Sequence, residues 1–156
     1  MNKKESGFLF LLIAIDLITK TVIQNTMALK QSIEVIPNFF HITYVVNTGA
    51  AWSMLEGKMG FFYAITIFAV VLILWMLIKT DRRAVVTRYG LVMILAGAIG
   101  NFIDRVWFKY VRDFLDFYIF GYDFPVFNVA DMALCIGVFL VMMIMFLNKE
   151  NYDESE

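Results

Sequence analysis

The sequence predicts an all-α integral membrane protein with four transmembrane helices and a small extracytoplasmic β-rich segment between helices 1 and 2. Composition, hydropathy and the spacing of the apolar blocks carry that prediction. Of the 156 residues, 61% are hydrophobic and 17% charged, against roughly 45–50% and about 25% in soluble domains. The mean hydropathy is +0.73, and a chain this short has too few polar side chains to cover a water-facing surface. The apolar residues fall in four blocks near the length that crosses a hydrocarbon core of roughly 30 Å. The same numbers exclude a disordered chain. A net charge of −1 without a basic stripe argues against nucleic acid as a partner. The lone cysteine, Cys135, excludes an internal disulfide framework and a cysteine-based metal site.

The first block, Gly7–Ile23, follows Lys3 and Lys4 and contains Asp16 and Lys20. No small-residue cleavage motif follows it, so it reads as an uncleaved first helix rather than a signal peptide. Asn25–Lys58 comes next. Its run SIEVIPNFFHITYVV is rich in β-branched and aromatic residues, with Pro37-Asn38 as a turn signal, and predicts a short hairpin or small sheet at the membrane surface. The second block, Gly60–Ile78, is nineteen residues without a charge. A compact basic linker, Lys79–Arg88, separates it from the third, Tyr89–Ile103.

Val106–Phe127 reads as an aromatic-rich surface loop whose Trp107, Tyr110, Tyr118 and Tyr122 suit an interfacial belt, with Asp116 and Asp123 solvated. Met132–Leu147 is the fourth block. Blocks three and four reach spanning length only if Asp104 and Asp131 lie at or just inside a membrane face. An even number of helices puts both termini on one side. Lys79, Arg82, Arg83 and Arg88 then make the cytoplasm the expected side for both termini. Residues 1–156 read as a single membrane-embedded domain without internal repeats.

In such a chain the informative residues are those that are costly to bury, since an Asp at a helix centre costs about 2.5–3.5 kcal/mol on insertion scales. Asp16 and Lys20 are spaced i, i+4 and share a helix face. They could simply neutralise each other for insertion, or brace a polar site. Asn101 and Asp104 share a face at the end of helix three, with Arg105 adding a donor fork. Packing and a snorkelling arginine would also explain that group. Ala96 and Gly100 form a small-xxx-small pair that permits close helix approach. Asn128 fits an N-cap of helix four with Asp131 at the third helical position, although capping explains Asp131 less well than Asn128. Asn47-Thr-Gly-Ala-Ala-Trp52 reads as a tight turn into helix two, or as a place where backbone approaches a partner closely. Cys135 reads as core packing, and His41 stands alone without partner ligands.

Metal hydrolysis would want His or Cys ligands, and there is one of each, far apart. No Ser–His, Ser–Lys or Cys–His arrangement stands out. What the chain offers is Asp supported by Asn and Arg. Two carboxylates held close cannot both ionise easily, so one keeps a proton and the pair works as base and acid. A small proton-coupled transporter or channel also uses intramembrane acids, but it predicts them near the midplane and an internal repeat.

Asp16-Leu-Ile-Thr-Lys20, Asn47-Thr-Gly-Ala-Ala-Trp52, Gly100-Asn-Phe-Ile-Asp-Arg105, Val111-Arg-Asp-Phe114 and Phe127-Asn-Val-Ala-Asp131 occur in this order. In that the chain resembles the bacterial lipoprotein signal peptidases (signal peptidase II). The resemblance runs over the whole chain, including the four-helix layout and the outer β-rich segment. It implies an intramembrane aspartic peptidase without cofactor or metal, which cuts the signal peptide of diacylglyceryl-modified prolipoproteins before the lipidated cysteine. Its implied partners are that substrate and membrane lipids, and it would act as a monomer. Its implied place is the bacterial cytoplasmic membrane, with the active site near the outer face.

The resemblance puts the catalytic pair on Asp113 and Asp131. It makes Asp104 structural, paired with Arg105 or the backbone. The supporting or substrate-contacting positions are Asp16, Lys20, Asn47, Gly49, Asn101, Arg105 and Asn128. The sequence departs from the family pattern at Arg112, where the family commonly has Val, and at Leu17, often Gln. A cation at Arg112 is expected to lower the pKa of Asp113 and shift the pH optimum.

Overall fold

The computed structural model describes residues 1–49 and 58–153, with side chains described as far as Leu147. Four helices are long and apolar enough to span a bilayer: α1 Lys3–Thr26, α2 Met59–Lys79, α3 Val85–Phe108 and α4 Val129–Asp153. Each contains the apolar block expected there. α3 and α4 exceed their blocks by running through Asp104 and starting before Asp131, so both acids are helical. The Ala50–Trp52 part of the expected turn into helix two lies outside the described residues.

The bundle is apolar on its outside, as lipid requires. Phe10, Ile18, Phe68, Trp75, Ile78, Phe139 and Phe146 are all exposed. α3 is the central element. Half of its spanning window is buried against 17% for α1 and α2, and it packs on each of the other three helices. Leu91, Val92, Leu95 and Ala96 of α3 form the core with Leu9, Ile73, Leu77 and Val141.

The α3–α4 seam is closest at glycines. A Cβ at Gly97 would collide with the Ala130 carbonyl, and one at Gly137 would lie 2.5 Å from the Gly90 carbonyl. The expected Ala96/Gly100 pair is therefore split between two jobs. Ala96 packs in the core, while Gly100 lies under Asp16 and Ala130.

At the end of the bundle that carries the N-terminus, Glu5 of the first turn of α1 pairs with Arg88 of α3. Arg88 bonds Glu5 at 2.7 and 3.0 Å and also donates to the Leu77 and Thr80 carbonyls at 2.8 Å. That ties α1, the end of α2 and α3 together where α2 leaves carbonyls unpaired.

The other end carries an antiparallel sheet in the order β1 Ser32–Ile36, β2 Phe40–Asn47, β3 Val111–Ile119, β4 Tyr122–Asp123. The expected hairpin between helices 1 and 2 is β1–β2, turning through Asn38 at φ 57°. The sheet also takes in the segment between helices 3 and 4, which the sequence had suggested was a loop. Val111–Ile119 contains no Gly or Pro and is rich in β-formers, so β2 supplies it with a ladder partner. The aromatic content that suggested an interfacial belt includes a stack of Phe40, Phe117 and Phe127, with ring centroids 4.6 and 5.7 Å apart. Asp116 is not solvated as expected. It is buried on β3 and bonds the Thr43 hydroxyl, whereas Asp123 is exposed.

Candidate active site

β3 places Asp113, and the start of α4 places Asp131. The two are brought together because the chain entering α4 pairs with β3: Phe127 exchanges backbone bonds with Leu115 and accepts a third from Phe114. The next residue, Asn128, is therefore held beside Asp113. Its Nδ2 donates to Asp113 Oδ1 at 2.6 Å and to Asn101 Oδ1 at 3.1 Å. Asn101 Nδ2 in turn donates to Asp131 Oδ1 at 2.7 Å. Two asparagine amides thus bridge the carboxylates.

The start of α4 is capped from two directions. Asn128 Oδ1 accepts the Asp131 N–H at 2.9 Å, while Asp131 Oδ2 accepts the Asn128 N–H at 3.2 Å, a reciprocal box. Asp16, from α1, accepts the Ala130 N–H at 2.9 Å. Capping thus explains Asn128, as the sequence suggested, and it orients Asp131 without using up its carboxylate.

Asp16 and Lys20 pair as their spacing predicts, with Nζ 2.8 Å from Oδ2. Lys20 is fully buried, and also donates to Asn101 Oδ1 at 3.0 Å and lies 3.7 Å from Asp104. The pair both neutralises itself and braces the polar cluster. Asp104 is buried, and of the two expected partners, Arg105 or the backbone, it takes the backbone, together with the Arg112 side chain. Arg112 meets it with Nη2–Oδ1 at 2.6 Å, Nε–Oδ2 at 3.1 Å and a backbone N–H at 3.0 Å. Successive strand side chains point to opposite faces, so Arg112 turns away from Asp113 toward Asp104, Gln24 and the Phe108 ring. The Arg112 guanidinium therefore bonds Asp104 and Gln24, and among the described residues makes no hydrogen bond with Asp113.

Burial, and after it the negative charge of Asp131, push the Asp113 carboxyl up to about 7, against hydrogen bonds from Asn128 and Asn47. Both carboxylates open onto a cavity of about 270 Å³, whose lining includes Asn47, Gly49, Asn101 and Arg105. Gly49 donates to Asn47 Oδ1 at 2.9 Å, and its carbonyl faces Arg105 at 3.5 Å. The Arg105 guanidinium lies 4.8 Å from the Phe62 ring centroid, and its Nε is buried without a partner among the described residues. Arg105 thus faces the cavity with donor capacity to spare.

Cys135 was expected in the core. It is exposed and lines this cavity one turn beyond Asp131, which its i+4 spacing from Asp131 could have signalled. Phe124 and Phe127 add an apolar wall; Phe127 opens the Phe127–Asp131 motif, whereas no motif marked Phe124. His41 contacts Glu34 at 3.5 Å, away from the cavity. Among the described residues, no three His, Cys, Asp or Glu side chains gather as metal ligands.

Comparison with known proteins bears on this arrangement. A family model described as Signal peptidase (SPase) II matches residues 8–147. A lipoprotein signal peptidase of Staphylococcus aureus (strain MRSA252) is 45% identical over 141 residues, covering 90% of this chain and 86% of that protein. Its counterpart in Staphylococcus aureus (strain JH9) is 44% identical over the same coverage. A bacterial membrane enzyme solved by the in meso method at 2.3 Å superposes with a TM-score of 0.91 at 41% identity, covering 95% of this chain and 90% of that one. A second, solved at 1.9 Å, gives 0.84 at 42% identity, covering 91% and 92%. These similarities favour a peptidase over a transporter.

Proposed function

The chain belongs to the signal peptidase II family, a multi-pass bacterial membrane aspartic peptidase that removes signal peptides from lipoprotein precursors, and from that premise we propose that Asp113 and Asp131 are its catalytic pair. The carrying observation is that two amides, Asn128 and Asn101, join these two acids beside one cavity. Asp104, the other acid near the end of α3, is committed to Arg112.

In this reading the signal helix of the precursor enters sideways from the bilayer. The scissile bond lies just before a diacylglyceryl-modified cysteine near the outer face, and both chain termini are cytoplasmic. One carboxylate takes a proton from a water that attacks the scissile carbonyl. The other, protonated, donates to the carbonyl oxygen. The first then protonates the leaving nitrogen as the C–N bond breaks, and the second regains its proton from the diol. Water is consumed and both acids return to their starting states. Arg105 and Asn47 are placed to bind carbonyl groups of the substrate, and the sheet covers the cavity from the outer side. The enzyme acts as a monomer in contact with membrane lipids.

The test is to incubate the purified protein with diacylglyceryl-modified prolipoprotein and sequence the products by mass spectrometry. The reading requires a mature product that begins at the lipidated cysteine. Cleavage elsewhere, or equal cleavage of the unlipidated precursor, contradicts it.

A further inference from the structure

The buried amides that join the two acids have a direction, and it is set from outside the pair. Lys20 Nζ can only donate, so the oxygen of Asn101 must face it, at 3.0 Å. That leaves the Asn101 NH₂ for Asp131 Oδ1 at 2.7 Å. At the other end the Asp131 backbone N–H can only donate, so the Asn128 oxygen faces it at 2.9 Å. The Asn128 NH₂ is then left for Asn101 Oδ1 and Asp113 Oδ1. Neither amide can turn without setting donor against donor. Lys20 is fully buried, and neutralising Asp16 alone would not require its contact with Asn101.

We propose that Lys20 is a positioning residue which acts through Asn101 to hold Asp131 as the ionised member of the pair, leaving the shared proton on Asp113. A cation on the Asn101 oxygen polarises that amide and strengthens its N–H donor toward Asp131. Asp131 also accepts a backbone N–H and stands in the first turn of α4, where the helix dipole favours negative charge.

The other charged groups around the pair fit this division. From α1, Asp16 is taken by Lys20 and the Ala130 N–H. From α3, Asp104 is taken by Arg112 of β3, and Arg105 borders the cavity beside Asp131. Asp113 sits on a strand rather than in the first turn of a helix. The base that takes the proton from water is then Asp131, and the acid that donates to the carbonyl is Asp113.

This proposal rests on the catalytic pair assigned above, and the experiment separates the two. Cleavage of the lipidated precursor is followed against pH for the wild type, Lys20→Met, Asp113→Asn and Asp131→Asn, all as full-length protein in lipid-containing micelles. Wild-type cleavage by either Asn variant overturns the catalytic pair itself. With that pair intact, Lys20→Met is expected to move the acidic limb of the kcat profile about one unit higher. At a fixed pH on that limb this lowers kcat about tenfold, with KM little changed. A profile of unaltered shape in folded Lys20→Met overturns the role of Lys20.

Where that variant does not fold, solid-state NMR on the unmodified protein decides, using ¹⁵N-labelled Asn and ¹³C-labelled Asp. The expected result places Asn101 Nδ2 next to the Asp131 carboxyl carbon, with the shared proton on Asp113. A reversed amide, or the proton on Asp131, overturns the proposal.

Discussion

Arg112 and Asp104 form a buried, two-pronged ion pair, with Nη2–Oδ1 at 2.6 Å and Nε–Oδ2 at 3.1 Å, although the neighbour of Arg112 in sequence is Asp113. Strand alternation separates the two roles. The pair locks β3 to the end of α3 and leaves Asp113 free to face the cavity. Arg112→Val should therefore leave the pH dependence of cleavage unchanged while lowering stability by about 3 kcal/mol, because Asp104 loses its main partner. A shifted pH profile in a stable Arg112→Val protein would contradict this arrangement. The measurement pairs thermal unfolding with a pH–rate profile.

Asn128 is bonded to both acids and to Asn101. Replacing it with Ala removes the donor to Asp113 and half of the α4 cap. Misplacing a reacting group by about 1 Å can cost on the order of 100-fold. Asn128→Ala should lower kcat by roughly that factor, with a smaller change in KM. Steady-state kinetics on the lipidated precursor checks it.

Asp113 also makes stability depend on pH. Its folded-state pKa of about 7 lies above the ordinary 3.8, held there by burial first and by Asp131 second. Between those values the folded protein binds the proton more tightly than the unfolded chain does. Stability from this group is therefore complete at low pH and is lost as pH rises toward about 7. Cleavage that needs one proton on the pair falls above the same pH. Asp131→Asn removes the second cause, so it should flatten the stability slope. Unfolding midpoints at several pH values, for wild type and variant, give the comparison.

Arg88 and Glu5 lie at the terminal end of the bundle, away from the cavity. Breaking their bonds with Glu5→Gln should cost about 1.5–3 kcal/mol, the range for hydrogen bonds to charged groups. The kcat of the folded fraction should stay at the wild-type value. A matching loss of kcat would show that this end of the bundle communicates with the site.

Much of the fold could be read from the sequence because lipid imposes a simple rule: long apolar runs must become helices that satisfy their own backbone. Gly60–Ile78 shows this directly as α2. The β1–β2 hairpin was legible from its β-branched run and the Pro37-Asn38 turn. Val111–Ile119 was not, because its strand state depends on pairing with β2, a contact invisible in local sequence. The same limit applies to ion pairs. Asp16–Lys20 follows from helix spacing, whereas Asp104–Arg112 crosses from helix to strand. Assigning Asp113 over Asp104 needed a family pattern, since both are acids near segment ends.

The most direct test of the account is the initial rate at which well-inserted Asp113→Asn and Asp131→Asn proteins release the signal peptide from diacylglyceryl-modified prolipoprotein, with Asp123→Asn, an exposed acid, alongside. Each of the first two is expected to fall by at least about 10²–10⁴-fold, while Asp123→Asn cleaves at the wild-type rate. Wild-type cleavage by either Asp113→Asn or Asp131→Asn would contradict it.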